Sequence, residues 1–563
     1  MTELLHPGLL LVAAGVALAP LRGSARAALT LLAPAAAIAL VLALPEGVLW
    51  KGSFLGYPIV PFAVDRLSRL FALVFAIMAL GGGLFALGQA SRVELPAAFV
   101  YAGSAIGVTL AGDLLTMFVF WELMAVGSTL VIWSAGTKAG YRASMRYAMI
   151  HLLGGVVLMA GIVGHVAATG STAFERFALD SPAHWLILGG FLVNAGAPPF
   201  SAWLPDAYPE ASWSGTVFLS AFTTKTAVYV LLRGFPGTEL LVFVGLIMVF
   251  YGIVYALLEN DMRRILAYSI VNQVGFMLVG IGIGTQMALN GAAAHAFTHI
   301  LYKALLLMSA GSVLYETGRR KCTDLGGLFR TMPLTMVCGT IGALSISSFP
   351  LTSGFVSKSM VAQAALDGHL EVVWLLLAAA SAGVFLHAGI KFPWFVFFQR
   401  DSGLRPPDPP WTQRLAMLLF AALCIGLGVF YEPLYRLLPF PVDYVPYTGA
   451  HVVAMLQLLL FSGLAFFVML PLLKRTLTIT LDADWFYRRL GPRLARILER
   501  MIVAMDRYVR QVSLGTLRTC MRGMGVALGD RERFARATST STMVAWVAVL
   551  LTLYLLFYYS TQR

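Results

Sequence analysis

The stretch "FLVNAGAPPFSAWLPDAYPEA", residues 191–211, starts as an apolar run and is interrupted by Pro198 and Pro199 while the chain is still apolar. Proline has no N–H to donate and its ring clashes with the preceding turn, so the pair predicts a broken helix. Whether the break is tolerable depends on the solvent. At membrane depth it survives only where the freed backbone groups face water, ions or polar protein rather than lipid.

Composition decides that solvent. The 563 residues are 59% hydrophobic and 12% charged, with a mean hydropathy of +0.80, far too apolar for a water-soluble chain of this size. Runs such as "ALTLLAPAAAIALVLAL" (28–44) and "LFALVFAIMALGGGLFAL" (70–87) recur along the chain, each close to the roughly 20 residues that cross a bilayer. The predicted fold class is an all-α polytopic membrane protein. Its sixteen spans fall near 3–20, 25–44, 68–90, 95–112, 113–133, 143–168, 184–206, 212–232, 238–258, 263–284, 287–313, 333–364, 370–398, 413–431, 450–473 and 541–559.

Alternating the loops between two sides tests this layout, because Lys and Arg accumulate on the cytoplasmic one. One side collects Arg22, Arg26, Arg92, Lys138, Arg142, Arg146, Arg263, Arg264, Arg319, Arg320, Lys321, Arg330, Arg400, Arg405, Arg414 and every cation from Lys474 to Arg536. The other has Lys51, Arg66, Arg69, Arg176, Arg233, Arg436 and Arg563. The bias predicts an even number of spans with both termini outside the cytoplasm. It also accounts for the net charge of +13 without a nucleic-acid partner.

Several classes are set aside by what the sequence lacks. The first apolar segment has no basic n-region and runs into a second, so no cleavable signal peptide is expected. Cys322, Cys338, Cys424 and Cys520 lie far apart with no CxxC pair, which argues against a disulfide framework or an iron–sulfur cluster. No phosphate-binding GxxxxGK[ST] is present. No cofactor, metal or catalytic centre of the chain's own is expected.

One region does not span. Between 478 and 537, Leu494, Ile497, Leu498, Met501, Met505, Tyr508 and Val512 repeat at helical spacing, and Arg493, Arg496, Arg500, Arg507 and Arg510 fill the other face. This pattern predicts an amphipathic helix on the membrane surface or along its neighbours, with breaks at Gly491-Pro492 and at glycines 515, 523 and 525.

Ionisable residues inside spans carry the functional signal, since a charge near the bilayer centre costs about 3 kcal/mol or more on insertion scales. They are Glu122, Lys225, His295, His299, Lys303, Lys358, His387 and Lys391, with His151 a weaker candidate. His295, His299 and Lys303 recur every four residues, which puts them on one helix face and suggests a hydrated proton path. Asp206 and Glu210, just past the first break, read better as anchors of the turn than as cation ligands. A second break, in "SISSFPLTSGFVSK" at Pro350 and Gly354, follows the first by about 150 residues. In each half a broken span is followed by one bearing a lysine, Lys225 or Lys391. Matched breaks of this kind mark internal repeats in transporters. The economical organisation is an N-terminal part (1–94), two inverted five-helix repeats (95–232 and 238–398), two further spans (399–473), the amphipathic region (478–537) and a final span (541–559).

The motifs "FVFWELM", "AWLPDAYPEA", "FTTKTAVYVLLRG", "RRILAYSIVNQVGFM", "HAFTHILYKALLLMSAG" and "PLTSGFVSK" resemble the antiporter-like proton-channel subunits of respiratory complex I, and still more the D-type subunit of Mrp multisubunit cation/proton antiporters. The resemblance covers roughly residues 60–400 with its motifs in order. It implies that Glu122 is the fifth-helix glutamate, Lys225 the eighth-helix lysine, His295, His299 and Lys303 the eleventh-helix relay, and Lys358 the lysine at the break of the twelfth. Lys391 would extend the path to an exit. The amphipathic region and last span resemble the lateral helix and anchor that strap adjacent subunits. The resemblance also implies a bacterial inner membrane, partner membrane subunits, and transport of protons with Na+ or K+.

Asn194 is the departure. Counting back from "WLPD", the seventh-helix lysine that pairs with the fifth-helix glutamate falls at this asparagine. Asn can hydrogen-bond but supplies no charge, so Glu122 loses the partner that would stabilise its ionised form unless Lys225 lies close enough to replace it. Three functional readings stay open: a proton-translocating subunit of a cation/proton antiporter, an antiporter-like subunit of a redox-driven or inorganic-carbon-uptake complex, and a scaffold that kept the fold and lost pumping.

Overall fold

A computed structural model of the chain describes residues 5–472, 481–527 and 540–561. Residues 3, 4 and 473 of the predicted spans, Lys474, Arg563, and 478–480 and 528–537 of the amphipathic region lie outside the described residues. The chain divides into two units, 1–484 and 485–563.

The first unit is a helical membrane fold. It opens with α1 (Pro7–Leu18) and α2 (Gly23–Ala43), followed by α3 (Arg66–Phe85), α4 (Glu94–Leu110), α5 (Leu114–Trp133) and α6 (Lys138–Thr169). The first broken span is α7 (Pro182–Ala195) with α8 (Trp203–Ala207), and the next is also divided, into α9 (Gly215–Leu219) and α10 (Thr223–Gly234). Then come α11 (Leu240–Leu258), α12 (Met262–Ile283) and α13 (Gln286–Thr317). The second broken span is α14 (Pro333–Ile346) with α15 (Ser353–Asp367), and α16 (Glu371–Val384) winds on into π-helical turns over Phe385–Lys391 and Trp394–Phe398. The helices α17 (Trp411–Val429), α18 (Glu432–Arg436) and α19 (Gly449–Val468) complete the unit. Among the described residues of both units, twelve helices are long and apolar enough to cross a membrane, and Pro7–Leu18, Glu94–Leu110 and Pro333–Ile346 are apolar but shorter.

One element departs from an all-α reading. β1 (Gly47–Phe54) and β2 (Tyr57–Val64) pair antiparallel through Leu55-Gly56, both at positive φ (50° and 84°), the signature of a two-residue hairpin turn. The hairpin is tied to the bundle by Asp113. Its Oδ2 accepts from Val60 N at 2.8 Å, while its Oδ1 caps α5 through Thr116 N.

Both predicted breaks exist, and the same cap makes both. α7 ends not at the prolines but two residues earlier, where Gly196 turns to φ +75°. Ala197 N then donates to Leu192 O (3.0 Å) and Gly196 N to Val193 O (3.1 Å). At the second break Ser348 stands at φ +59°, Phe349 N reaches Leu344 O (3.0 Å) and Ser348 N reaches Ser345 O (3.1 Å). Each is the paired 6→1 and 5→2 closure that satisfies the orphan carbonyls of a helix end. Pro198 and Pro350 follow the caps at matching positions and prevent the helix from resuming. The indole Nε1 of Trp203 adds a third bond to the first break, donating to Val193 O at 2.9 Å.

The centre of the unit lies around α9–α10, α12 and α13, whose apolar windows are almost entirely buried. These are the polar spans, as expected where charged groups must face protein rather than lipid. Close backbone contact between α11 and α12 depends on glycine: a Cβ on Gly275 would lie 2.6 Å from Gly245 O, and one on Gly245 would lie 2.6 Å from Gly275 O. Small residues at such crossings allow the approach that drives helix association in membranes. Gly275→Ala is therefore expected to force the pair apart and to destabilise the protein by about 1–3 kcal/mol, read as a lower unfolding temperature in detergent.

In the second unit, α20 (Gly491–Ala527) runs 37 residues without interruption, or about 55 Å at 1.5 Å per residue. The breaks expected at Gly491-Pro492 and the three glycines do not occur. Pro492 sits in the first turn, where its missing N–H has no intrahelical partner to lose. A glycine costs only about 1 kcal/mol in a helix interior, too little to end one this long. The ion pair Arg510–Asp506 (2.8 Å) adds i,i+4 support. The final helix is α21 (Thr540–Thr561), of which Thr540–Tyr558 is long and apolar enough to cross a membrane.

Candidate functional site

The ionisable residues form a row inside the first unit. Lys225, His295, His299, Lys303 and His387 are fully buried, and Lys358 and Lys391 are nearly so. Lys225 sits just past the break between α9 and α10. Its Nζ donates to the freed carbonyl of Ser220 (2.6 Å) and to Thr224 Oγ1 (3.0 Å). Lys303, on α13, donates to Ser269 Oγ of α12. One turn back, neither nitrogen of His299 has a hydrogen-bond partner, and the ring lies in the fields of Lys225, Lys303, His295 and Lys358. His295 is held by Gln273 Oε1 (3.0 Å) and Ser357 Oγ (3.3 Å).

The row continues into the second broken span. Lys358 Nζ lies 4.2 Å above the ring of Phe276 and has no hydrogen-bond partner; a cation on an aromatic face keeps part of its stabilisation without one. His387, unpartnered at both nitrogens, is electrostatically coupled to Lys303, Lys358 and Lys391. Lys391 Nζ donates at 2.7 Å to the carbonyls of Ala256, Leu257 and Glu259, the C-terminal end of α11, where a cation also suits the helix dipole. Both lysine-bearing spans are thus irregular at the lysine, Lys225 beside a break and Lys391 in a π turn.

Glu122 stands apart. Its carboxyl packs where a side chain on Gly155 of α6 would go, and Oε1 is buried with no hydrogen-bond partner. Lys225 is turned to Ser220 and Thr224 and does not replace the missing partner. Asn194, nearly fully buried, bonds not to Glu122 but to His151, Oδ1 to Nδ1 at 2.7 Å. Asp206 forms a two-point pair with Arg146 (2.7 and 2.8 Å), and Glu210 pairs with Arg320 at 3.0 Å. Both are anchors of the turn after the first break.

Sequence reasoning missed the connecting hydroxyls and amides. Tyr147 Oη donates to Ser128 Oγ (3.0 Å) and lies 3.2 Å from Thr223 Oγ1, which also meets Tyr101 Oη at 2.6 Å. Gln273 accepts from Tyr302 Oη (3.2 Å) as well as contacting His295. The polar pair Asn272-Gln273 inside "SIVNQVGFM" was the available signal, since such residues in a span seek partners inside the bundle. Another missed feature continues the Lys225 face of α10. Arg233 Nε donates to Tyr229 Oη (2.9 Å), and Arg233 Nη2 pairs with Asp65 at 2.6 Å. Burial would raise the Asp65 carboxyl, but the Arg233 guanidinium and the Ser68 N–H outweigh it and hold the group below its usual range.

Comparison with known proteins agrees with this architecture. Residues 111–385 match the NADH:quinone oxidoreductase/Mrp antiporter transmembrane family, a range that takes in Glu122, Lys225, the α13 row and Lys358 but ends short of His387 and Lys391. The D-type subunit of the Na(+)/H(+) antiporter of Alkalihalophilus pseudofirmus is 29% identical over 67% of this chain and 82% of its own length. The M-type subunit of the NADH-quinone oxidoreductase of Pseudomonas aeruginosa is 30% identical over 66% of this chain and 79% of its own. A chain of the membrane-bound sulfane sulfur reductase, an archaeal respiratory membrane complex, shares the fold with a TM-score of 0.73 at 24% identity, covering 99% of this chain and 100% of that one. At 30% identity over 79% of the length of the M-type relative, and with the family match over residues 111–385, the protein belongs to the NADH:quinone oxidoreductase/Mrp antiporter family of multi-pass, antiporter-like membrane subunits.

Proposed function

We propose that this chain is the D-type, proton-translocating subunit of a multisubunit cation/proton antiporter, passing protons along Glu122, Lys225, His295, His299, Lys303, Lys358 and Lys391. The observation that carries this reading is the burial of Lys225, His295, His299, Lys303, Lys358, His387 and Lys391 inside one helical unit, with His299, Lys358 and His387 left without hydrogen-bond partners. Adding a proton to one member of such a row disfavours protonation of the next by like-charge repulsion, so occupancy at one end is felt along it. Fixed cations of this cost are retained in membranes where they serve ion pathways. The repeats 95–232 and 238–398 would supply the two half-channels. The protein would lie in a bacterial inner membrane with both termini outside the cytoplasm, and α20 would strap neighbouring subunits.

The likeness to the M-type subunit of a quinone oxidoreductase supports a second reading, in which a redox partner drives the same proton path. Purification of the tagged protein from native membranes with its neighbours separates the two. Small Mrp-type membrane subunits, together with Na+- or K+-dependent proton flux, are the expected result. Copurifying iron–sulfur subunits would favour the redox-driven assembly. Absence of proton flux from the intact assembly would leave only a scaffold.

A further inference from the structure

We infer that His151, held by Asn194, is a proton-binding residue of the first half-channel, standing between Glu122 and the hydroxyl network that leads to Lys225. The inference rests on the proton-translocating reading above and adds a residue to it.

His151 lies on α6, nearly fully buried. Its Nδ1 is 2.7 Å from Asn194 Oδ1, and its Nε2 is buried with no partner. With the amide oxygen as acceptor, Nδ1 carries the hydrogen, which leaves the Nε2 lone pair of the neutral ring free. A proton arriving at Nε2 makes an imidazolium without breaking the bond to Asn194, because Nδ1–H still donates to the same oxygen. Asn194 therefore suits both states, whereas a lysine ammonium at that position would repel the charged one. The ring also packs against Tyr147 at a centroid distance of 4.0 Å and Trp203 at 4.7 Å, contacts that hold its orientation.

Its setting connects in both directions. Tyr147, His151 and Gly155 follow at four-residue spacing on one face of α6. At Gly155 the absence of a side chain admits the Glu122 carboxyl, whose Oε1 is also buried without a partner. The carboxyl thus packs against α6 one turn from His151, and two unpartnered acceptors, Glu122 Oε1 and His151 Nε2, are groups that a water carrying a proton would satisfy. In the other direction Tyr147 Oη reaches Thr223, next to the Thr224 hydroxyl that holds Lys225. The titratable and charged groups brought to this part of α6 are Tyr147 and Arg146 on its own helix, Glu122 from α5, Asp206 from α8 in its pair with Arg146, and Tyr208 just after α8, which packs on Trp203.

The test is proton flux in vesicles carrying the full assembled complex. His151→Gln keeps a hydrogen-bonding side chain but cannot take a proton, and it is expected to lower flux about a hundredfold, the weight of one positioned acid–base group. His151→Leu should behave the same, and His151→Leu with Asn194→Lys should recover flux, because the ammonium restores a titratable group. Lys225→Ala is run beside them. Normal flux in His151→Gln while Lys225→Ala is inactive would overturn the role of His151 alone. Flux indifferent to both would overturn the proton path and the inference with it. Loss in His151→Gln, with equal thermal stability and rescue by Asn194→Lys, would support it, since a purely structural pin would not be restored by a lysine.

Discussion

Lys225→Ala is expected to cut proton flux about a hundredfold, the contribution typical of a positioned acid–base group, while leaving the assembled protein intact. The lysine occupies the gap between α9 and α10, and its Nζ satisfies the freed Ser220 carbonyl and Thr224. Alanine removes the charge that couples to Lys303 and the donor to Ser220, but the site is already irregular and hydroxyl-rich, so water can replace the lost bond. Lys225→Arg keeps the charge yet does not release a proton in a protein, so it should be as inactive as alanine. Flux assays on the two variants, with size-exclusion profiles to confirm assembly, check both points.

The second large effect is structural. Gly354 lies in the first turn of α15, and a side chain there would collide with the Ser345 carbonyl at the end of α14. That carbonyl also accepts from Ser348 N in the cap that closes the break. It cannot move away without opening the cap, and Ser348 and Leu351 already sit at φ +59° and +68°, a region that non-glycine residues enter at a cost. Gly354→Val is expected to cost about 3 kcal/mol or more and to prevent accumulation of folded protein. Gly426→Ala, at a position with open space around it, should be tolerated. Expression level and unfolding temperature of the two variants read the contrast.

These two sites also show what a sequence can and cannot reveal. Breaks at Pro198 and Pro350 were legible because proline excludes helix continuation, but their cause was not. The helices end earlier, at Gly196 and Ser348, through a backbone cap that depends on φ rather than residue type, and only one of the two positions is a glycine. The break before Lys225 and the π turns around Lys391 left no proline signature in "SAFTTK" or "FLHAGIK". The hairpin over 47–64 was hidden for a similar reason, since its turn uses Leu55-Gly56 rather than an asparagine–glycine pair. In the candidate site, charges inside apolar runs were plain because their cost is local. The partners were not, because Asn194 with His151, or Gln273 with His295, meet only through tertiary packing. Whether Lys225 could replace the missing partner of Glu122 depended on direction, which the sequence does not carry: the side chain turns to the carbonyl that its own break exposes.

The path proposed for protons runs from Glu122, which stands apart, along the buried row from Lys225 to Lys391. It is tested most directly by cation-dependent proton flux in vesicles containing the assembled complex, with Lys358 and Lys391 replaced singly by alanine. Lys358 has no hydrogen-bond partner to lose, and Lys391 stands at the far end of the coupled row on the α11 carbonyls. The path requires that each replacement alone abolish flux in complexes that assemble normally. Unchanged flux in both variants would contradict it.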